Sequence, residues 1–215
     1  RRLREKGIRI CIATGRSPLV VPKFDGVEFD AFLTYNGSYC YDREGKTLFS
    51  NALSHADVQA LIHNAAALGR PLSVATKDRL ASNGKDDDLV EYYAFGGLEI
   101  QVADDFDKVA EDEVYQVLMS GREEEYSRML AGTRHAKIAA WWDRAVDIIP
   151  ADGGKGITIE KILEAYGLDK SEAMAFGDGN NDIAMLEAVG TGVAMGNASA
   201  QLKAVAQAVC PSAAE

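Results

Sequence analysis

No apolar run in the sequence reaches transmembrane length, and no segment carries the charged, apolar and small-residue parts of a secretory signal. Cysteine is scarce. Cys11, Cys40 and Cys210 are odd in number and lack metal-type spacing, which reads as reduced thiols in a cytoplasmic protein. The histidines, His55, His63 and His135, form no His-Glu-x-x-His pattern, so each is expected on the solvated surface. Positive charge is also short: 23 Lys and Arg against 33 Asp and Glu leave a formal charge of −10, which disfavours nucleic acid and anionic membranes as partners. A small anionic substrate stays open, because a local cluster or a bound cation overrides net charge. Two nucleotide fingerprints fail. Gly153-Gly154-Lys155-Gly156 has Ile149 where a P-loop needs its first glycine, and Gly177-x-Gly179-x-x-Asp182 has an acid where a dinucleotide fingerprint needs its third. There is no internal repeat and no low-complexity tract.

What the chain has is a core-forming composition, 215 residues at 47% hydrophobic, enough for one large domain or two small ones. Its densest chemistry lies in residues 172–188. An apolar strand at 174–176 is followed by Gly177-Asp178-Gly179-Asn180-Asn181-Asp182 and then by helical periodicity over 181–188. Glycine lets the backbone turn sharply there, so the Asp178 and Asp182 oxygens are expected to converge on a hard cation such as Mg²⁺. The plainer alternative is a strand-to-helix loop with an Asn or Asp N-cap. Four Asn and Asp residues among the six of 177–182 hold more ligand groups than a cap needs.

Residues 1–7 look like the last turns of a helix stopped by Gly7, and 8–13 form an apolar run expected as a parallel strand buried on both faces. That run ends in Thr14-Gly15-Arg16. A further strand at 31–34 leads to Tyr35-Asn36-Gly37, and the turn 42–45 between two extended segments signals a hairpin. The pattern then shifts near Leu53. A Ser54-capped helix over 54–68, strands near 72–75, 114–119, 137–141 and 145–149, and a polar helix at 122–130 describe a small α+β unit. Past Pro150 the strand–helix alternation returns, with helices at 157–166 and 199–207. The fold class is therefore α/β, a Rossmann-like parallel-sheet core with an inserted α+β cap. The core is assigned to 1–52 and 148–215, and the cap to 53–147.

Three polar motifs thus stand at the ends of core strands: Thr14-Gly15-Arg16, Lys155, and Asp178 with Asn181 and Asp182. Strand ends of an open α/β sheet share one crevice. A hydroxyl, backbone donors, a fixed cation and a metal site together are equipment for phosphoryl transfer. Taken singly, Thr14 could cap a helix and Lys155 could be a surface lysine.

In this order the motifs resemble the haloacid dehalogenase superfamily of phosphohydrolases, in the Cof-type branch with a large α/β cap. Ile12-Ala13-Thr14-Gly15-Arg16 is similar to its second motif, Gly154-Lys155-Gly156 to its third, and Gly177–Asp182 to its fourth. The turn at 35–37 and the stretch 193–197 also match habits of that branch. The resemblance implies that Thr14 and Gly15 bind the phosphoryl group and that Lys155 neutralises phosphate and nucleophile. It also implies that Asp178 ligates Mg²⁺ with Asp182 supporting the metal shell, and that Asn181 contacts phosphate. Arg16 and Asn36 fall near the substrate and the cap hinge. The implied reaction is two-step hydrolysis of a small phosphorylated metabolite, such as a sugar phosphate, through an aspartyl-phosphate. A phosphotransferase or mutase of the same fold, or a non-catalytic phosphate binder, is the alternative. Nothing sets the oligomeric state, and a monomer is compatible with the sequence.

The family's Asp-x-Asp nucleophile motif belongs on a strand upstream of the residues here. Asp86-Asp87-Asp88 has the spacing but follows Asn83-Gly84-Lys85, so a solvated loop is expected there. The sequence therefore reads as a fragment, with a gap expected between the strands ending at Ala13 and Gly177. The stretch 211–215 likewise reads as stopping short of an element.

Overall fold

The computed structural model describes residues 2–212; Arg1 and 213–215, which carry part of the readings at the two ends, lie outside the described residues. The chain opens with α1 (Arg2–Glu5), β1 (Cys11–Ala13), β2 (Ala31–Thr34), β3 (Tyr39–Asp42) and β4 (Thr47–Ser50). These strands form one sheet in the order β1-β2-β3-β4, parallel between β1 and β2 and antiparallel beyond.

The insert follows as α2 (His55–Leu68), β5 (Leu72–Ala75), β6 (Leu80–Ser82), α3 (Asp87–Phe95), α4 (Phe106–Val109), β7 (Gln116–Ser120), α5 (Tyr126–Met129), β8 (Ala136–Ala139) and β9 (Ala145–Pro150). Its strands make a separate antiparallel sheet in the order β6-β5-β7-β9-β8. Helix α2 starts where the Ser54 hydroxyl accepts the Asp57 N–H at 3.1 Å, and it ends at Gly69 in the left-handed region. The apolar face of α2 packs with β5, β7 and β9 around Leu61, Leu72, Val117 and Ile148 in the largest hydrophobic cluster.

The chain then returns through α6 (Lys155–Tyr166), β10 (Met174–Gly177), α7 (Ile183–Glu187), β11 (Thr191–Ala194), α8 (Ala200–Val205) and β12 (Ala208–Val209). Strands β10, β11 and β12 form a third, wholly parallel sheet. Strands β1 and β10 are thus edges of two separate sheets, although Ala13 at the end of β1 packs into the cluster around Ala175 and Leu186.

Several expectations need correcting. Residues 8–13 are not buried on both faces: the strand is only Cys11–Ala13, Cys11 is exposed, and Ile8 is 46% exposed. The open edge leaves one flank of β1 without a neighbour. Asp86-Asp87-Asp88 is no solvated loop. The Asp86 carboxylate accepts the Leu89 N–H at 2.8 Å and so caps α3, while Asp88 pairs with Arg122 at 2.9 Å and Arg144 at 3.3 Å. The polar helix at 122–130 is a 3-10 turn followed by the four residues of α5, and the last helix stops at Val205 before the short β12.

Candidate active site

The ends of β1, β10 and α6 open into one cavity of about 760 Å³. Its lining includes Thr14, Gly15 and Arg16 after β1, Lys155 at the start of α6, and Asp178, Asn181 and Asp182 after β10. Every sequence-derived candidate except Asn36 lies on this surface, and Asn36 stands directly behind it.

Lys155 is no surface lysine. It is the first residue of α6 and its Nζ meets Asp182 Oδ1 at 2.5 Å, with both side chains 7% exposed. The other Asp182 oxygen accepts the backbone N–H groups of Asp178 and Gly179 at 3.1 and 3.2 Å. Asp182 therefore holds the Asp178 loop and the lysine in register, and both of its oxygens are engaged. Gly177 makes this possible, since a Cβ there would stand 2.6 Å from the Asp182 Cβ. Asp178 is exposed to the cavity.

Thr14 caps no regular helix. Its Oγ1 accepts the Arg16 N–H at 3.1 Å, which leaves the hydroxyl proton to point elsewhere, whereas Ser17 caps the short 3-10 turn that follows. Arg16 reaches away from the strand ends, and its guanidinium donates to the carbonyls of Gly96 at 2.8 Å and Phe95 at 3.3 Å, at the C-terminal end of α3.

Tyr35 and Asn36 both sit in the left-handed region, at φ 50° and 54°, where residues other than glycine are uncommon and strained. Contacts on three sides over-determine that turn. The Tyr35 hydroxyl donates to Thr76 O at 2.8 Å, and the Asn36 amide donates to Gln116 Oε1 at 3.0 Å and Asp147 Oδ2 at 2.8 Å. Asn36 Oδ1 in turn accepts from Asn181 Nδ2 at 3.2 Å. A single carboxamide thus ties the β10 loop to two strands of the insert. Gly15 is the clearance beneath it: a Cβ there would come within 3.1 Å of the Asn36 amide and 3.2 Å of the Asp147 carboxylate.

Sequence reasoning missed Asp147, Gln116 and Tyr92, all of which line the cavity from the insert. Asp147 is 2% exposed, and burial pushes its carboxyl up to about 7, partly offset by the Asn36 and Tyr92 hydrogen-bonding groups and by the Lys155 charge. The one available signal was a lone acid inside the apolar strand Ala145–Pro150. For Gln116 and Tyr92 no local signal existed.

A family model for haloacid dehalogenase-like hydrolases matches residues 1–215. "Putative phosphatase YkrA" of Bacillus subtilis (strain 168) is 32% identical over 209 residues, covering 96% of this chain and 80% of its own. An "HMP-PP phosphatase" of Citrobacter koseri is 30% identical over 208 residues, covering 94% and 76% respectively. Among solved structures, BT4131, described as a sugar phosphatase of HAD subclass IIB, superposes with a TM-score of 0.88 at 26% identity, covering 98% of this chain and 82% of its own. The Rossmann-like core with an inserted cap agrees with these matches, and the chain belongs to the haloacid dehalogenase-like hydrolases.

Proposed function

We propose that this cavity, once a strand carrying the aspartate nucleophile pairs between β1 and β10, hydrolyses phosphomonoesters of small metabolites, with Mg²⁺ held at Asp178. The observation that carries the reading is the buried Lys155–Asp182 pair, placed in a cavity that Thr14 and Asp178 also line. A cation fixed at a buried position and surrounded by donors stabilises charge on a transferring phosphoryl group without reorganising. The ammonium of Lys155 neutralises phosphate, the Thr14 hydroxyl and Gly15 N–H orient it, and the Asn181 amide gives a further donor. Arg16 and the Asn36 carboxamide join this end to the insert and keep it closed over the leaving group.

Among the described residues no three acids, histidines or cysteines form a metal cluster. Mg²⁺ asks for less, one or two carboxylates with water and substrate phosphate completing its shell, and Asp178 fits that demand with Asp182 behind it. The ion, when bound, offsets the repulsion between phosphate and an anionic nucleophile.

The aspartyl-phosphate route needs an aspartate nucleophile, and we place it on a strand paired between β1 and β10. Two open strand edges at that point support this, together with Met174 and Phe176, which are 59% and 57% exposed on what the sequence reads as a core strand. The same reading divides the chain into a core and a cap working in the cytoplasm, but the boundary expected at 147/148 moves, because β9 keeps Ile148 to Pro150 paired within the insert's sheet and so carries the cap to Pro150. Asn51 and Asp152, hydrogen-bonded at 2.9 Å, mark the point where the two connections run side by side.

Sugar phosphates are the first substrates to assay, since the family resemblance implies them and one structural neighbour is described as a sugar phosphatase. In a chain that also carries the nucleophile strand, release of inorganic phosphate from such a panel is expected, with transfer to an acceptor hydroxyl absent. Lys155→Ala is expected to lower the rate by roughly 10²–10³-fold. Lys161, whose side chain is 53% exposed on the next turns of α6, should tolerate alanine. Equal, small losses at both lysines would refute the assignment, and a phosphorylated acceptor would point to a transferase.

A further inference from the structure

Asn36 of the core, Gln116 of β7 and Asp147 of β9 meet through their side chains, and all three are buried. Hydrogen bonds to a carboxamide have a sense, because its oxygen only accepts and its nitrogen only donates. Asn36 gives its two Nδ2 hydrogens to Asp147 Oδ2 at 2.8 Å and Gln116 Oε1 at 3.0 Å. Turned over, it would set its own oxygen against the Gln116 oxygen and a carboxylate. Gln116 is held the same way round by its Nε2, which donates to Gly15 O at 3.3 Å. The Asn36 backbone is fixed as well: its N–H donates to Thr14 O at 3.0 Å, and its φ of 54° is one that asparagine tolerates better than most side chains.

That sense is passed on. Asn36 Oδ1 is left facing Asn181, whose Nδ2 donates to it at 3.2 Å, and the Asn181 oxygen lies over Gly179, where an added Cβ would stand 2.5 Å from it. The second Nδ2 hydrogen of Asn181 meets no acceptor among the described residues, and Asn181 lines the cavity. We propose that Gln116 and Asp147 are positioning residues: by fixing the sense of the Asn36 carboxamide they fix that of Asn181, so that its nitrogen and not its oxygen meets the phosphate. Reversed, Asn181 would set an oxygen against an anion, and a hydrogen bond would become a repulsion. The donor is therefore correctly aimed only while β7 and β9 of the insert lie against the turn at Asn36. The inference rests on the reading of Asn181 as a phosphate donor, and its test separates the two.

Inorganic phosphate is titrated calorimetrically, at fixed Mg²⁺ and about pH 8, above the Asp147 pKa of about 7, into a chain that also carries the nucleophile strand. Asn181→Ala should weaken binding about tenfold, as expected for one hydrogen bond to an anion. Asp147→Leu removes an acceptor and a negative charge, so electrostatics alone would tighten phosphate binding, whereas loss of the orienting contact should weaken it about as much as Asn181→Ala does. Asn36→Asp, which suits the left-handed turn, sets a second carboxylate against Asp147 and should also weaken binding. Adding Asp147→Asn to it exchanges donor and acceptor across that contact at unchanged net charge and keeps an oxygen facing Asn181. The pair should recover all but about threefold of the affinity, the remainder being the long Gln116–Gly15 bond lost when Gln116 turns to donate. Tighter or unchanged binding in Asp147→Leu, or a double variant no better than Asn36→Asp, would overturn the proposal while a weakened Asn181→Ala left the donor reading standing. Wild-type affinity in Asn181→Ala would defeat the donor reading itself, and the proposal with it.

Discussion

In the inserted unit, β5 and β9 are buried along their whole length and β7 at four of its five positions, and all three pack on α2 in one continuous cluster. In the parallel half, β1 and β10 each present an open edge, and the clusters around Leu33 and Leu186 are separate and smaller. The first region holds its shape through apolar area. At its mouth the second relies on polar connections: the Lys155–Asp182 pair, the N–H groups on Asp182, and the Asn36 amide. Chemistry is concentrated where apolar packing is thinnest, as expected when carboxylates and a lysine must stay accessible to a charged ligand.

The largest effect should come from breaking the polar half at its centre. Asp182→Ala leaves the Lys155 ammonium buried without its partner and frees the Asp178 loop, at about 3–5 kcal/mol in urea unfolding. A loss under about 1 kcal/mol would show that the pair contributes nothing to holding the mouth together.

The next prediction sharpens the contrast between the halves. Leu72→Ala in the insert's core should cost about 2–5 kcal/mol by cavity creation, because Leu72 is fully buried. Phe176→Ala, at a site 57% exposed on the open edge, should stay within about 1 kcal/mol. Equal costs at the two positions would erase the distinction.

A smaller effect joins the regions through Asp147. Its folded pKa of about 7 lies above the ordinary 3.8, so between those values the folded state holds a proton that the unfolded chain has lost. The associated stability is complete below about pH 4 and is lost as pH rises through about 7, with a slope of at most about 1.4 kcal/mol per pH unit. Unfolding midpoints should therefore fall between pH 5 and 7 and level off above it, and Asp147→Asn should flatten that part of the curve. A wild-type curve that rises over this range would contradict the assignment.

The comparison also shows what a sequence displays. Thr14, Lys155, Asp178 and Asp182 were legible because each sits within a few residues of a strand or helix end, where glycine and polar runs interrupt apolar periodicity. The open edges of β1 and β10 were anticipated only through the family resemblance, which implies a further strand between them. Asp147, Gln116 and Tyr92 were not, because they reach the cavity only when β9, β7 and α3 of the insert dock over it, and no local spacing encodes that approach. Helix α3 was hidden for a different reason: three aspartates after a glycine look like a loop until Asp86 is seen capping the Leu89 amide. Tyr35 and Asn36 show the same limit. Their turn is written in the sequence, but the strain is visible only in the dihedral angles.

On the proposed reading, Asp178 presents its carboxylate to a cation shared with a phosphate bound at Thr14 and Lys155. Calorimetric titration of Mg²⁺ into wild type and Asp178→Asn, both carrying the nucleophile strand and with phosphate release followed in the same samples, addresses it directly. The variant should keep its fold, because Asp178 is exposed to the cavity, while losing Mg²⁺ affinity and turnover together. Wild-type Mg²⁺ binding and Mg²⁺-dependent release in Asp178→Asn would contradict it.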